Sequence, residues 1–327
     1  MRGEFIDMKV AFGSASASKS GKWRTILKSV KKNDNIPAYI LITPMLLGFL
    51  IFTLYPIFYV LRWSMFDYDG FTTAKFIGLD NFVRLFTREK SFWNAIANTF
   101  IITFGKMAIE IPMALVLAVL INGKSKLNSF FRTFYFMPTI ISTAIVGLIF
   151  SILFGSYNGI INAIINNLGI TADRINWFGN KWLALAVIII ASVWTHFGIN
   201  MVFFLMGLQS VPREMYECVD IDGANKVQQF FMITIPMLKP IMQIILMLAL
   251  VEGMKLSELP LVLSNGQPGG QTEVVMTYIY KYFFPTDSMS GGLIQYGYAS
   301  SLAVVTAITI GVITLLYLKL SQKMREI

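Results

Sequence analysis

Long apolar runs separated by short charged segments dominate this chain. Six of them, 37–64, 92–121, 131–154, 182–208, 236–263 and 298–320, reach the roughly 20 residues a helix needs to cross a hydrocarbon layer. None alternates with period two, so helices are predicted and not barrel strands. Pro37, Pro44 and Pro56 predict kinks in the first run or an interfacial start near Pro37. Pro112 should loosen the second run just after Glu110. Pro138 lies near the start of the third, where Ser142, Thr143, Ala144 and Gly147 suit close helix packing.

The segment 209–236, between the fourth and fifth runs, is polar. Glu214, Glu217, Asp220 and Asp222 would be costly in hydrocarbon, so the segment belongs in water, free to dock a partner. Pro212 followed by acidic residues favours a helix start, and that helix is predicted to reach about Asp222. Gly223 permits a turn that residues with a Cβ resist, and a second short helix over 225–232 should lead back to the membrane. In such a knuckle Met215, Val219, Phe230 and Phe231 could fill a cleft while Glu217 and Asp220 meet cations at its edge. A loop lying on lipid heads would be basic, and this one is acidic.

Composition removes the soluble classes. With 55% hydrophobic and 14% charged residues and a mean hydropathy of +0.63, a chain of 327 residues cannot cover a soluble surface. Six crossings sort the cations. Arg2 to Lys32, Lys124, Lys126, Arg132, Arg213, Lys226, Lys239, Lys319, Lys323 and Arg325 fall on one side. The smaller group of Arg62, Lys75, Arg84, Arg88, Lys90, Arg174, Lys181 and Lys281 falls on the other. The positive-inside rule then puts both termini and the Glu217 loop in the cytoplasm. Topology and anionic lipid heads account for the net charge of +9 without nucleic acid. Residues 1–35 read as a flexible basic cytoplasmic tail and not a signal peptide, and 36–327 as the membrane domain. Cys218 is the only cysteine, which excludes an intrachain disulfide, and it is expected as a small side chain packed in an interface in preference to a free thiol exposed to the cytoplasm.

A few polar residues interrupt the apolar runs. Lys106 and Glu110 are four apart on one helical face and are predicted to pair, in preference to touching substrate. His196 and Asn200 also share a face; His196 is expected to hydrogen-bond between helices, while Asn200 suits either packing or a sugar hydroxyl. No Cys, Asp or Glu cluster accompanies His196, so no metal site is expected. Glu252, Lys255 and Glu258 punctuate the fifth run; Glu252 and Lys255 are at pairing distance, and a pathway role is weighed equally with packing. No phosphate-binding loop is present, and no nucleophile, base and orienting group recur at a recognisable spacing, so the chain does not read as an enzyme.

Several motifs resemble one family. Pro212-x-Glu214-x-Tyr216-Glu217, Asp222-Gly223-Ala224, Phe230, Ile233-x-x-Pro236 and Pro240 are similar to the cytoplasmic loop of binding-protein-dependent ABC importer permeases. The stretches 76–82 and 130–138 resemble the carbohydrate-uptake, maltose-type branch. The Gly-rich stretch 263–272 is also similar, with altered spacing. The resemblance implies an all-α membrane protein with the type I ABC importer permease fold, about six transmembrane helices and both termini cytoplasmic, in a bacterial plasma membrane. It implies a coupling loop of Glu214, Glu217, Asp220, Asp222, Gly223, Ala224 and Pro236. It further implies a pathway lined by Ile199, Asn200, Phe203, Glu252, Gly253, Lys255, Leu256 and Ser257. The implied partners are a second related permease, two ATPase subunits carrying ATP and Mg, and an extracytoplasmic solute-binding protein. The substrate would be a sugar or oligosaccharide, acidic glycans included. Glycerol phosphate or another polar solute is the rival within the family. An ion-coupled secondary transporter with Glu110, Glu252 and Lys255 as relay is the rival outside it, and would call for internal repeats.

Overall fold

The computed structural model describes residues 35–123, 125–284 and 294–325; the expected tail at 1–35 lies outside them apart from Asn35, and Lys124 is also outside. The chain separates into two compact units, Met1–Arg62 and Trp63–Ile327. Among the described residues, five helices are long and apolar enough to cross a membrane: α1 (Ala38–Trp63), α3 (Lys90–Leu120), α7 (Lys181–Gln209), α9 (Lys226–Met254) and α12 (Tyr296–Gln322, continuing to Arg325). Within α1, Pro44 is accommodated inside the helix and a π-helical stretch occupies Leu50–Leu54.

The third apolar run, expected as one span, is a sharply bent pair of helices. It forms α4 (Lys126–Phe136) and α5 (Thr143–Leu153), and the two arms of this broken span meet at 94°. Pro138 supplies no N–H within the 3₁₀ turn Met137–Ile140, and Ile141 and Ser142 are extended. Counting the bent pair as one crossing restores six.

The fifth run is also corrected. Its helix starts in the loop at Lys226 and stops at Met254, and Glu258 opens a separate short helix, α10 (Glu258–Leu263). Pro260 explains the break, because its ring would clash with the carbonyl of Leu256 in a continuous helix.

Shorter elements complete the second unit. A two-residue antiparallel pair, β1 (Phe66–Asp67) and β2 (Lys75–Phe76), precedes α2 (Asp80–Arg88). Helix α6 (Ile160–Asn167) follows α5, α8 (Arg213–Ile221) precedes α9, and α11 (Val275–Phe283) precedes α12. With the N-terminus of α3 outside, α3 and α7 run outside to inside together and α9 returns against both. Ile111, Ala114, Met201, Phe204, Leu238 and Ile245 fill the seam among them. A second cluster joins α3, α5, α7 and α10 through Ile102, Val146, Leu185 and Leu259. A third, with Phe92, Tyr278, Tyr298 and Leu302, holds α2, α11 and α12 to the start of α3.

Candidate functional site

Midway along α3 and α7, and at the C-terminal end of α9, the apolar packing gives way to one polar network. Lys106, fully buried, lies 3.6 Å from Glu110 Oε2 and donates to Glu252 Oε1 at 3.0 Å. His196 Nε2 meets the same Glu252 oxygen at 2.6 Å, and its Nδ1 lies 2.9 Å from the carbonyl of Ser192. Asn200 donates to Glu110 Oε1. The 3.6 Å contact is Coulombic, for Glu110 Oε2 makes no hydrogen bond among the described residues. Burial is uneven: Lys106, Glu110 and Asn200 are inside, His196 is 23% exposed and Glu252 is 41% exposed.

Local sequence explains the assembly. Lys106 with Glu110 and His196 with Asn200 are each one turn apart, so two polar pairs face one seam. Gly253 brings the third helix close: a Cβ there would stand 2.6 Å from Thr103 Cγ2 and 2.8 Å from Oγ1. That close approach of α9 to α3 puts Glu252 within reach of Lys106.

The structure does not gather the other expected pathway residues on one surface. The predicted Glu252–Lys255 pair is absent: α9 ends before Lys255, and Glu252 is taken by Lys106 and His196 from neighbouring helices. Lys255 is exposed and lines a cleft of about 390 Å³ with Met276, Ile279, Ala303, Thr306 and Ile310. Among the described residues no carboxylate lies within ion-pair distance of it. Asn200 is 4% exposed and already bonded, and Gly253 is closed off by Thr103. Phe203 packs into the α3–α7–α9 seam and Leu256 against the α5–α10 cluster, while Ile199 and Ser257 are half-buried.

On the predicted cytoplasmic side the loop forms a helix, a turn and a helix. Helix α8 follows Pro212, and Gly223 takes φ +78°. Asn225 and Gln228 form a reciprocal capping box at the start of α9. Glu214, Glu217 and Asp222 are exposed, and no ion pair reaches them among the described residues. Asp220, expected at a cleft edge, is exposed and also acts within the loop: it accepts from buried Gln229, which donates in turn to the Ala224 carbonyl at 3.1 Å. Lys226 lies 3.5 Å from the same carboxylate. Cys218 is exposed on the surface of the loop. Met215, Val227, Phe231 and Met232 are also exposed, so the knuckle presents apolar side chains around free carboxylates. Val219 and Phe230 are half-buried, and Pro236 is exposed within α9, just after a π-helical turn, Phe230–Thr234.

At the opposite end, the sequence reading missed a buried anchor. Glu273 accepts from Lys281 and Thr277, and Asn98 of α3 donates to the carbonyls of Gln271 and Glu273 at 2.7 and 2.8 Å. These bonds hold the Gly-rich stretch down. Nearby, Tyr278 and Tyr298 both donate to Glu89. Burial, then the Glu89 carboxylate, push the Tyr278 phenol well above its usual range and keep it a neutral donor.

A bundle of apolar crossings with a charged seam in its middle and an acidic knuckle at one end defines a membrane transport subunit. The chain belongs to the family described as binding-protein-dependent transport system inner membrane component, whose match covers residues 110–326. It is therefore a multi-pass inner-membrane permease, and its relatives are transport subunits and not enzymes. It is 35% identical to the probable ABC transporter permease protein YesP of Bacillus subtilis, across 90% of this chain and 93% of that one. To the arabinooligosaccharides transport system permease protein AraP of the same organism it is 34% identical, across 94% of each. Among solved structures, a bacterial ABC transporter that imports the acidic polysaccharide alginate matches in fold. Its TM-score is 0.75 at 24% identity, with coverage of 91% of this chain and 99% of that one.

Proposed function

We propose that this chain forms one half of the membrane pathway of an ATP-driven importer for a sugar or oligosaccharide. Its partners would be a second related permease, two cytoplasmic ATPases that hold ATP and Mg, and an extracytoplasmic solute-binding protein. The observation that carries the reading is the continuity of α9. One helix begins in the acidic knuckle and carries Glu252 into the charged seam, 26 residues and about 39 Å further on. A push on Glu217 and its apolar neighbours by closing ATPases would move α9 as a body and shift Glu252 against Lys106 and His196. Carbohydrate as the substrate rests on the names of the relatives, AraP among them.

The test is uptake into vesicles by the co-expressed complex, with Glu217→Ala beside wild type and a panel of neutral and acidic oligosaccharides. Uptake that needs both ATP and the binding protein, and that fails in the variant, supports the reading. Uptake driven by an ion gradient alone overturns it.

A further inference from the structure

Donor and acceptor accounting in the charged seam says what kind of ligand group it can still take. No donor there is open to a ligand: those not already bonded are buried. Lys106 Nζ is buried between Glu252 and Glu110, and Asn200 is committed to Glu110. His196 faces an acceptor with each ring nitrogen, the Ser192 carbonyl at 2.9 Å and Glu252 Oε1 at 2.6 Å. Lys255 lies beyond the end of α9, in a cleft walled by α11 and α12 residues.

Glu252 is used on one side only. Lys106 and His196 both reach Oε1, and among the described residues nothing hydrogen-bonds Oε2. The side chain is 41% exposed, the most open of the five. A carboxylate gripped through one oxygen by two donors presents the other in a fixed direction. An ionised oxygen in such a setting is a strong acceptor for an O–H donor.

We propose that Glu252 is a specificity-determining residue of the pathway, with Oε2 accepting a hydroxyl of a neutral glycan, and with Lys106 and His196 as positioning residues. A uronate carboxylate brings acceptors and needs donors; the seam's donors are buried or face acceptors, and it offers a second carboxylate. The selected substrates are therefore hydroxyl-rich neutral sugars, and acidic ones are rejected. This rests on the carbohydrate-importer reading above.

The experiment uses the complete importer in proteoliposomes, with neutral arabino-, xylo- and malto-oligosaccharides of two to five residues beside oligogalacturonides of the same lengths. Wild type is expected to take up members of the neutral set only. Glu252→Gln should raise KM for the best neutral sugar at least about tenfold, the weight of one hydrogen bond to a charged acceptor. Glu252→Asp, which keeps the charge on a shorter arm, should fall between, and His196→Gln should raise KM less than Glu252→Gln does. Monodeoxy analogues of that sugar supply a readout that a merely structural role would not move. In wild type, removal of one particular hydroxyl should raise KM about tenfold, and the same removal should add nothing in Glu252→Gln. If Glu252→Gln does not assemble, the comparison is made with Glu252→Asp, where the loss on removing that hydroxyl should shrink. An unchanged KM in the variants, equal losses for that hydroxyl in wild type and variant, or wild-type preference for galacturonides would each overturn the proposal while the importer reading stands. If wild type imports neither sugar set but imports glycerol phosphate, the carbohydrate reading falls and this inference falls with it.

Discussion

Removing the Lys106 ammonium should expose how strongly the seam depends on its single buried cation. In Lys106→Met the volume is nearly kept, but Glu110 loses the charge 3.6 Å from its Oε2 in a fully buried site. At an effective dielectric constant near 20, that contact carries about 4 to 5 kcal/mol of attraction. Asn200 still donates to the other oxygen, so part of the burial penalty remains offset. The half-exposed Glu252 loses its Lys106 bond but keeps His196, and solvent screens what it loses. The net loss should therefore sit near the lower end of the 3–5 kcal/mol expected when one member of a buried pair is removed. At about 2–4 °C per kcal/mol, the unfolding midpoint of the purified complex should drop by roughly 6–12 °C, read by scanning fluorimetry in detergent. Glu110→Gln added to Lys106→Met removes the stranded charge and should recover at least half of that drop. A Lys106→Met midpoint within about 2 °C of wild type, or a double variant no more stable than the single, would refute the pairing argument.

Gly253→Ala should force α9 away from Thr103, lower the midpoint by several degrees and reduce uptake, because overpacking costs about 1–3 kcal/mol and the displaced turn carries Glu252. Gly223→Val, at φ +78°, should cost about 1–2 kcal/mol and weaken recovery of the ATPase subunits on affinity purification. Gln229→Leu leaves the Ala224 carbonyl and Asp220 without their shared donor; sugar-stimulated ATP hydrolysis should fall about tenfold while expression holds. Asp69 accepts from the backbone N–H groups of Thr72 and Phe71 and from the Thr72 hydroxyl, and these bonds lower its pKa from the ordinary 3.8. The turn is therefore held above that value and released as pH falls through the depressed one, seen as a loss of amide protection relative to the intrinsic exchange rate at Phe71 and Thr72 below pH 3.8, with that protection unchanged between pH 5 and 8.

Properties carried by contiguous sequence were legible. The apolar runs gave the crossings because hydrocarbon thickness and helix rise set one length, and Pro212 and Gly223 marked the knuckle because each acts on its own backbone. The same local logic failed where a proline's effect depends on the residues downstream of it. Pro138 read as a tolerable feature near a helix start, yet Ile141 and Ser142 turn extended after it and the span bends by 94°. Pro260, unremarked inside an apolar run, interrupts its helix well upstream, at Met254.

Pairing across the bundle was the least legible, and the charged seam shows why. Sequence spacing ranks Glu252 with Lys255, three apart, but spacing speaks only for residues on one continuous helix. Once α9 stops at Met254 that ranking has no meaning, and the partner of Glu252 is decided by which helix can come near. Gly253 decides it: the missing side chain admits α3, and Lys106 arrives 3.0 Å from the carboxylate, 146 residues away in sequence. Glu273 and Lys281 make the same point at the outer end, where a helix and the turn before it bring together two charges that periodicity leaves unrelated. In a bundle of this kind, the glycines that set helix separation therefore carry more information about charge pairing than the spacing of the charges. Gly253→Ala and Lys106→Met should accordingly be non-additive, their combined loss of stability smaller than the two losses taken singly, because both act on the contact between α3 and α9. Additive losses would show that Gly253 sets packing alone and that Lys106 reaches Glu252 without it.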